Sequence, residues 1–309
     1  MSAEQILITG SSGLIGTSLI RSLGLKRISI ICLRRGSLRG NDEVSSAQGV
    51  WDPYASPPMS HPGELAGTTG AVHLSGANVS GRRWSSSYKR AILESRVKPT
   101  HALAVLLAGL RPKPAVLVCA SAIGIYGSRA DELLTDDSFP GSGFLPEVCL
   151  AWEKATKPAR DAGIRVVHLR FGVVLSPHGG ALSKMLPIFR AGLGGQLGNG
   201  RQWMSWITLP DAIRAIEFAL DTPSLAGAVN VVTPNPVTNA EFTRALGGAL
   251  HRPTFCKVPA VALRLAFGEM AEATILASER VMPDRLTGKG FQFQYPEIQT
   301  GLEAVLAES

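Results

Sequence analysis

The chain has 309 residues, 45% of them apolar and 18% charged, with a formal charge of +7. That length allows one large α/β domain and a smaller second one. No apolar run approaches the ~18–20 residues a membrane span needs, and the first Gly-rich turn comes too early to leave room for a signal peptide, so a cytoplasmic protein is expected.

Short apolar runs bounded by Gly, Pro or Ser predict strands at Gln5–Thr9, Ile28–Leu33, Ala71–Leu74, Ala115–Ala120, Val166–Leu169 and Ala228–Val232, with a weaker one near Val50–Asp52. Helical patterns lie between them at Leu14–Leu23, Ser85–Leu110, Glu147–Ala162 and Asp211–Leu220. Pro99 is expected to kink or split the second. This alternation is the mark of a parallel sheet wrapped by helices. It breaks down from about Pro177. Gly192–Gly200 holds five glycines in nine positions and reads as a loop and candidate lid. Thr238 or Asn239 is placed to cap a helix carrying Glu241 and Phe242, and short helices follow to Leu306. Residues 1–176, completed by 207–233, are expected to form the first domain, and 177–206 with 234–309 the second.

Thr9-Gly10-Ser11-Ser12-Gly13-Leu14-Ile15-Gly16 follows a strand and opens a helix. Glycines there turn the chain sharply, let backbone approach a pyrophosphate and allow close helix–strand packing. N–H groups at the helix N-terminus then face the phosphates. The context predicts a Rossmann-type, doubly wound parallel sheet that binds a dinucleotide, with Gly10, Ser12, Gly13, Leu14, Ile15 and Gly16 around it. An NAD-selective domain carries Asp or Glu at the end of the second strand. Here that position reads Leu33-Arg34-Arg35, with no acid before Asp42. A guanidinium grips a 2′-phosphate that a carboxylate would repel, so NADP(H) is the expected cofactor. It also accounts for part of the positive charge, whose densest stretch, Arg82 to Lys98, forms neither tail nor stripe. Nucleic acid is not an expected partner.

The GxxGxxG spacing resembles the extended short-chain dehydrogenase/reductase family, which includes nucleotide-sugar epimerases and dehydratases. His73-Leu74-Ser75-Gly76-Ala77 resembles that family's N-[LV]-A-[GA] segment, which implies that Leu74, Ser75 and Gly76 lie along the cofactor. Glu94-Ser95-Arg96 resembles a recurrent S-R pair of one subgroup and assigns Arg96 to the cofactor phosphate side. Gly81-Arg82-Arg83-Trp84, Leu169-Arg170-Phe171-Gly172, Gly198-Asn199-Gly200-Arg201-Gln202, Trp206-Ile207 and Gly290-Phe291-Gln292-Phe293 resemble blocks of an atypical subgroup called epimerase-family proteins. Some bacterial members carry a cell-division-inhibitor label. That resemblance covers essentially the whole chain and implies a small, mostly helical C-terminal substrate domain.

Short-chain dehydrogenases use Tyr-x-x-x-Lys with a nearby Ser or Thr for proton transfer. The corresponding stretch here is Cys149-Leu150-Ala151-Trp152-Glu153, so Cys stands for Tyr and Glu for Lys. The upstream segment Ser121 to Gly127 resembles the family's Ser/Thr-containing Y-G segment, but places Ala122 at the usual hydroxyl position. Three readings stay open. A different donor, with Tyr126, Ser121 or Cys149 as candidates, serves a changed substrate; or water does so in a weak reductase; or the chain binds NADPH as a sensor without chemistry. Arg82, Arg83, Trp84 and Tyr126, with Arg201, Gln202, Trp203 and Trp206, are the candidates to face a substrate at the crevice. Arginines beside tryptophans suit an anionic, partly planar small molecule. Cys32, Cys119, Cys149 and Cys256 have no framework spacing and read as reduced thiols. The six histidines show no ligand spacing, and no metal is expected. Related folds dimerise through helices such as Ser85–Leu110 and Glu147–Ala162, which makes a homodimer an expectation here too.

Overall fold

The computed structural model describes residues 5–36 and 47–307. Its centre is a sheet of seven parallel strands: β1 (Gln5–Thr9), β2 (Ser29–Arg35), β3 (Ala47–Trp51), β4 (Gly70–His73), β5 (Val116–Ala122), β6 (Arg165–Phe171) and β7 (Gly227–Val231). The spatial order is β7-β6-β5-β4-β1-β2-β3. Strand order reverses between β1 and β4, which in open α/β sheets is where a ligand crevice lies, at the carboxyl ends of the strands.

The sheet is buried on both faces because successive side chains leave it on opposite sides. Ile6, Ile8, Val72 and Val118 pack on one face with Leu19 of α1 (Leu14–Leu25) and Ala212 and Ile216 of α6 (Leu209–Asp221). Leu7, Ala71 and Leu117 pack on the other with Leu103 and Leu107 of α2 (Ser86–Gly109). A separate core joins Leu182 and Leu186 of α5 (Gly180–Arg190), Trp206, Phe242 and Leu246 of α7 (Asn239–Ala249), and Leu302 and Val305 of α10 (Ile298–Ala307). This is the smaller, mostly helical lobe, and α8 (Ala260–Phe267) and α9 (Asp284–Gly288) come between its last two helices in sequence.

Several local expectations need correction. Pro99 sits buried inside α2, which runs unbroken to Gly109. The stretch read as one helix at Glu147–Ala162 is two, α3 (Phe144–Lys154) and α4 (Lys157–Asp161). The break falls at Thr156, whose hydroxyl caps back to the Glu153 carbonyl at 2.7 Å and meets His168 Nε2 at 2.9 Å. Gly192–Gly200 is not loop throughout. Gly195–Leu197 is a short strand paired with Cys256–Val258, and a Cβ on Gly195 would sit 2.0 Å from the Cys256 carbonyl oxygen. Its glycines admit a close backbone crossing. Thr238 caps α7 and completes a capping box with Glu241. Strands β5 and β6 run two residues further than expected, and that extension carries Ser121 and Arg170 into the crevice region.

Candidate active site

The crevice begins at the turn from β1 into α1. Gly10 has φ +74°, and a Cβ there would lie 2.7 Å from the Leu74 carbonyl carbon and 2.9 Å from Ser75 N. The ends of β1 and β4 therefore touch backbone to backbone. Gly16 packs equally close, since its Cβ would fall 2.2 Å from the Gly10 carbonyl oxygen. Gly13 differs: a Cβ would meet only Gly10 O, at 3.4 Å. It is the N-cap of α1 and provides no side-chain cap. The first N–H groups of a helix have no partner four residues back, so α1 presents Leu14, Ile15 and Gly16 donors, with its dipole, to the open face beside Gly13. Ser12 is exposed on the same turn.

At the end of β2, Leu33 is buried, Arg34 half-buried and Arg35 exposed, and Gly36 turns the chain at φ +87°. Asp42, the first acid after β2 in sequence, lies outside the described residues. At the end of β4 the His73 ring is fully buried between Thr9 Oγ1 (2.6 Å) and Thr100 Oγ1 (2.9 Å). The Leu74–Gly76 segment then runs over α2. Ala77 N donates to Ser95 Oγ at 3.0 Å. Arg96 lies against Gly76, bonds the Ile92 carbonyl at 3.1 Å, and stacks over the Trp152 ring at 5.0 Å. It thus lies by β4 and α3, across β1 from Arg34 and Arg35, and not beside them.

The histidines carry a pH signature. Burial lowers His73 to about 3 and His168 to about 4, from an ordinary 6.5. Each stays neutral when folded and takes up a proton when unfolded, so the stability it contributes is present above pH 6.5 and lost as pH falls. Going from about pH 7 to about pH 5, each should remove about 2 kcal/mol. Urea unfolding of wild type and His168→Gln at both pH values checks this: the variant's acid loss should be smaller by about that amount.

The position of the usual tyrosine–lysine pair holds a different construction. Glu153 on α3 is bound in a fork by Arg170 on β6, with Nε to Oε1 at 2.9 Å and Nη2 to Oε2 at 3.1 Å. Ser121 on β5 donates to Glu153 Oε1 at 2.8 Å. Burial works to raise the Glu153 carboxyl, but Arg170 outweighs it and holds the group below its ordinary value. Arg170 is itself raised, because Glu153 overcomes the desolvation that would lower it. Its Nη1 reaches the Tyr126 hydroxyl at 2.9 Å, and that hydroxyl donates to Asn230 Oδ1 of β7 at 2.7 Å. Asn230 N in turn donates to Asp136 Oδ1 at 2.6 Å.

Tyr126 is fully buried in this network, so its hydroxyl faces inward and not, as expected, toward a substrate. Burial raises it as an acid. Cys149 is also buried, and desolvation with the Glu153 charge pushes its thiol up to about 12. A neutral buried thiol is a poor proton carrier. Ser121's hydroxyl is engaged by Glu153.

Across the crevice, Trp84 meets Phe144 edge-on at 5.0 Å and donates its indole N–H to the Val79 carbonyl at 2.9 Å. Arg82 stands 5.9 Å over Tyr88. Arg83 reaches the Leu265 carbonyl at 3.1 Å and Lys89 pairs with Glu269 at 2.7 Å, tying this loop and α2 to the end of α8. Gln202 bonds the Leu197 carbonyl, and Trp206 is wholly buried. Arg201 is exposed. Arg280 stands over the Trp203 ring at 4.3 Å, while Trp203 Nε1 donates to Asp131 at 2.8 Å. The Arg/Trp pairing expected between neighbours in sequence is thus made by a residue from the far end of the chain. Among the described residues no cluster of three or more His, Cys, Asp or Glu could hold a metal ion, and no helix is long and apolar enough to cross a membrane.

Residues 6–232 match the NAD dependent epimerase/dehydratase family, and residues 258–305 match a domain of unknown function, DUF1731. Epimerase family protein Mb2239 of Mycobacterium bovis is 42% identical, covering 98% of this chain and 97% of its own. The chloroplastic SDR39U1 homolog of Arabidopsis thaliana is 34% identical, covering 99% and 87%. The crystal structure of human epimerase family protein SDR39U1 with NADPH superposes with a TM-score of 0.89 at 29% identity, covering 99% of this chain and 100% of that one. The chain belongs to the NAD dependent epimerase/dehydratase family, with the domain of unknown function as its C-terminal part.

Proposed function

We propose that this chain binds NADP(H) across the β1/β4 crevice. On this reading it is an oxidoreductase or epimerase of the extended short-chain dehydrogenase type, with a non-standard acid/base site. The observation that carries the cofactor assignment is the pair Arg34 and Arg35 at the end of β2, where NAD-selective domains place a carboxylate. The uncapped N-terminus of α1 and the open face of Gly13 fit a pyrophosphate. Gly10, Ser12, Leu14, Ile15, Gly16, Leu33, Leu74, Ser75 and Gly76 complete the proposed lining. The NADPH held by human SDR39U1 supports the same choice. Residues 1–176 with 207–233 form the cofactor domain in this reading, and 177–206 with 234–309 close the substrate side. Arg82, Trp84, Arg201 and Trp203 border that side and suit an anionic small molecule.

When bound, the dinucleotide supplies hydride chemistry. The protein's own residues hold it, position a substrate between the two lobes and exclude water. Equilibrium fluorescence titration tests the reading: NADPH is expected to bind at least tenfold tighter than NADH, and equal or reversed affinities would remove it. A second reading is a regulatory protein whose occupancy by NADPH is the signal. It is favoured by the closed Glu153–Arg170 fork, which leaves the usual dyad position without a free acid or base.

A further inference from the structure

Lys184 lies outside every motif read from the sequence. It stands one turn into α5, in the smaller lobe, and reaches back to the turn that follows β4. Its Nζ donates to the Ser80 carbonyl at 3.2 Å and to Ser80 Oγ at 3.1 Å. That turn is fastened from within. Asn78 Oδ1 accepts from Ser80 N at 2.9 Å, and the Trp84 indole N–H donates to the Val79 carbonyl at 2.9 Å. Further on, Arg83 and Lys89 hold the same stretch of chain to the end of α8.

With this contact a ring of contacts closes. The end of β1 meets the segment after β4 where Gly10 lies against Leu74 and Ser75. The chain then runs to Ser80, which Lys184 joins to α5. At its start α5 returns to α1. A Cβ on Gly179 would sit 3.4 Å from both Leu14 methyl carbons, and one on Gly180 would sit 3.9 Å from Leu14 Cδ2. Leu14 follows Gly13, whose N–H donates to the Gly10 carbonyl at 3.1 Å, and so the ring is complete. It passes the uncapped N-terminus of α1, where a pyrophosphate fits. Its links differ in strength. Gly10 and Leu74 touch backbone to backbone, and Leu14 is half-buried. Lys184 and Ser80 are both exposed, and among the described residues the ammonium has no carboxylate to hold it there.

We propose that Lys184 and Ser80 form a clasp over the dinucleotide site, an inference that rests on the NADP(H) reading above. A dinucleotide with its pyrophosphate at Gly13 and its 2′-phosphate toward Arg34 and Arg35 lies partly inside the ring. It enters and leaves when the ring opens, and the ring opens at its weakest link. The clasp therefore governs exchange of the cofactor and not its affinity. Made in the free and in the loaded protein alike, it slows entry and release by the same factor and leaves Kd unchanged. Because the contact is exposed and solvated, that factor is modest, about three- to tenfold.

Stopped-flow fluorescence of NADPH with the full chain reads both steps: entry on mixing, and release on displacement by excess NADP+. Lys184→Met is expected to speed entry and release alike, each about three- to tenfold, with Kd kept within about twofold. Lys184→Arg keeps a cation that reaches both acceptors and should stay near wild type. Ser80→Ala keeps the carbonyl and should fall between. Both residues are exposed, so the melting temperature should not move in any of the three. If Lys184→Met speeds either step by less than about threefold, the contact is no clasp. Faster release with unchanged entry, and Kd weakened to match, would make Lys184 a ligand of the cofactor phosphates instead and overturn the proposal. Failure of wild type to bind NADPH at all would remove the cofactor reading, and this inference with it.

Discussion

Replacing Arg170 with methionine is expected to destabilise the fold by about 3–5 kcal/mol. The guanidinium is the counter-charge of a carboxylate that is almost fully enclosed, with side-chain exposures of 9% for Arg170 and 14% for Glu153. Removing it leaves Glu153 with Ser121 as its remaining side-chain donor, and leaves the Tyr126 hydroxyl with Asn230 alone. Truncating one member of a buried pair strands the other, which is far worse than removing both. Glu153→Leu combined with Arg170→Met should therefore recover a large part of the loss. Urea unfolding curves for the two single variants and the double variant check the pattern. A single-variant cost under about 1 kcal/mol would mean that the pair is solvated in a way its geometry does not suggest.

A methyl group at Gly16 is the second large effect. It would fall 2.2 Å from the Gly10 carbonyl oxygen and 2.9 Å from the Ser11 Cα, both backbone atoms. The turn must then open or the helix must slide, and the α1 donors leave the positions from which they face a phosphate. Hydrogen bonds to charged groups are worth about 1.5–3 kcal/mol each, so losing two lowers NADPH affinity about 10²–10⁴-fold. Overpacking costs about 1–3 kcal/mol of stability besides. Gly13→Ala is the contrast. Its backbone, at φ −80°, suits any residue, and its Cβ meets only Gly10 O. Stability should stay within about 0.5 kcal/mol while affinity drops, because the methyl group enters the space reserved for the pyrophosphate. Isothermal calorimetry and thermal melts on both variants separate the two cases.

The parts of the fold that were legible in the sequence are those with local causes. Strands buried on both faces are short apolar runs. The turn from β1 to α1 announces itself because sterics demand glycine at Gly10 and Gly16, and Leu33-Arg34-Arg35 is read directly as the end of a strand. What was not legible depends on residues distant in sequence. Nothing beside Glu153 indicates that Arg170, on another strand, will clasp it, and so the loss of Tyr and Lys read only as an absence. Tyr126 gave no sign that Asn230 would take its hydroxyl. Gly192–Gly200 read as loop throughout because glycine serves both loops and tight crossings, and only the pairing with Cys256–Val258 shows the strand at Gly195–Leu197. Arg280, which covers the Trp203 ring, lies in a segment whose position follows from the pairing with Leu133 and Leu134.

The most direct measurement is a four-way comparison of affinities: NADPH and NADH, each titrated against wild type and against the Arg34→Ala, Arg35→Ala double variant. If these arginines hold the 2′-phosphate, wild type binds NADPH at least tenfold tighter, and the double variant binds both nucleotides with nearly equal affinity because NADPH alone has weakened. An NADPH preference that survives the double substitution would place the phosphate elsewhere, and tighter binding of NADH by wild type would contradict the NADP(H) assignment itself.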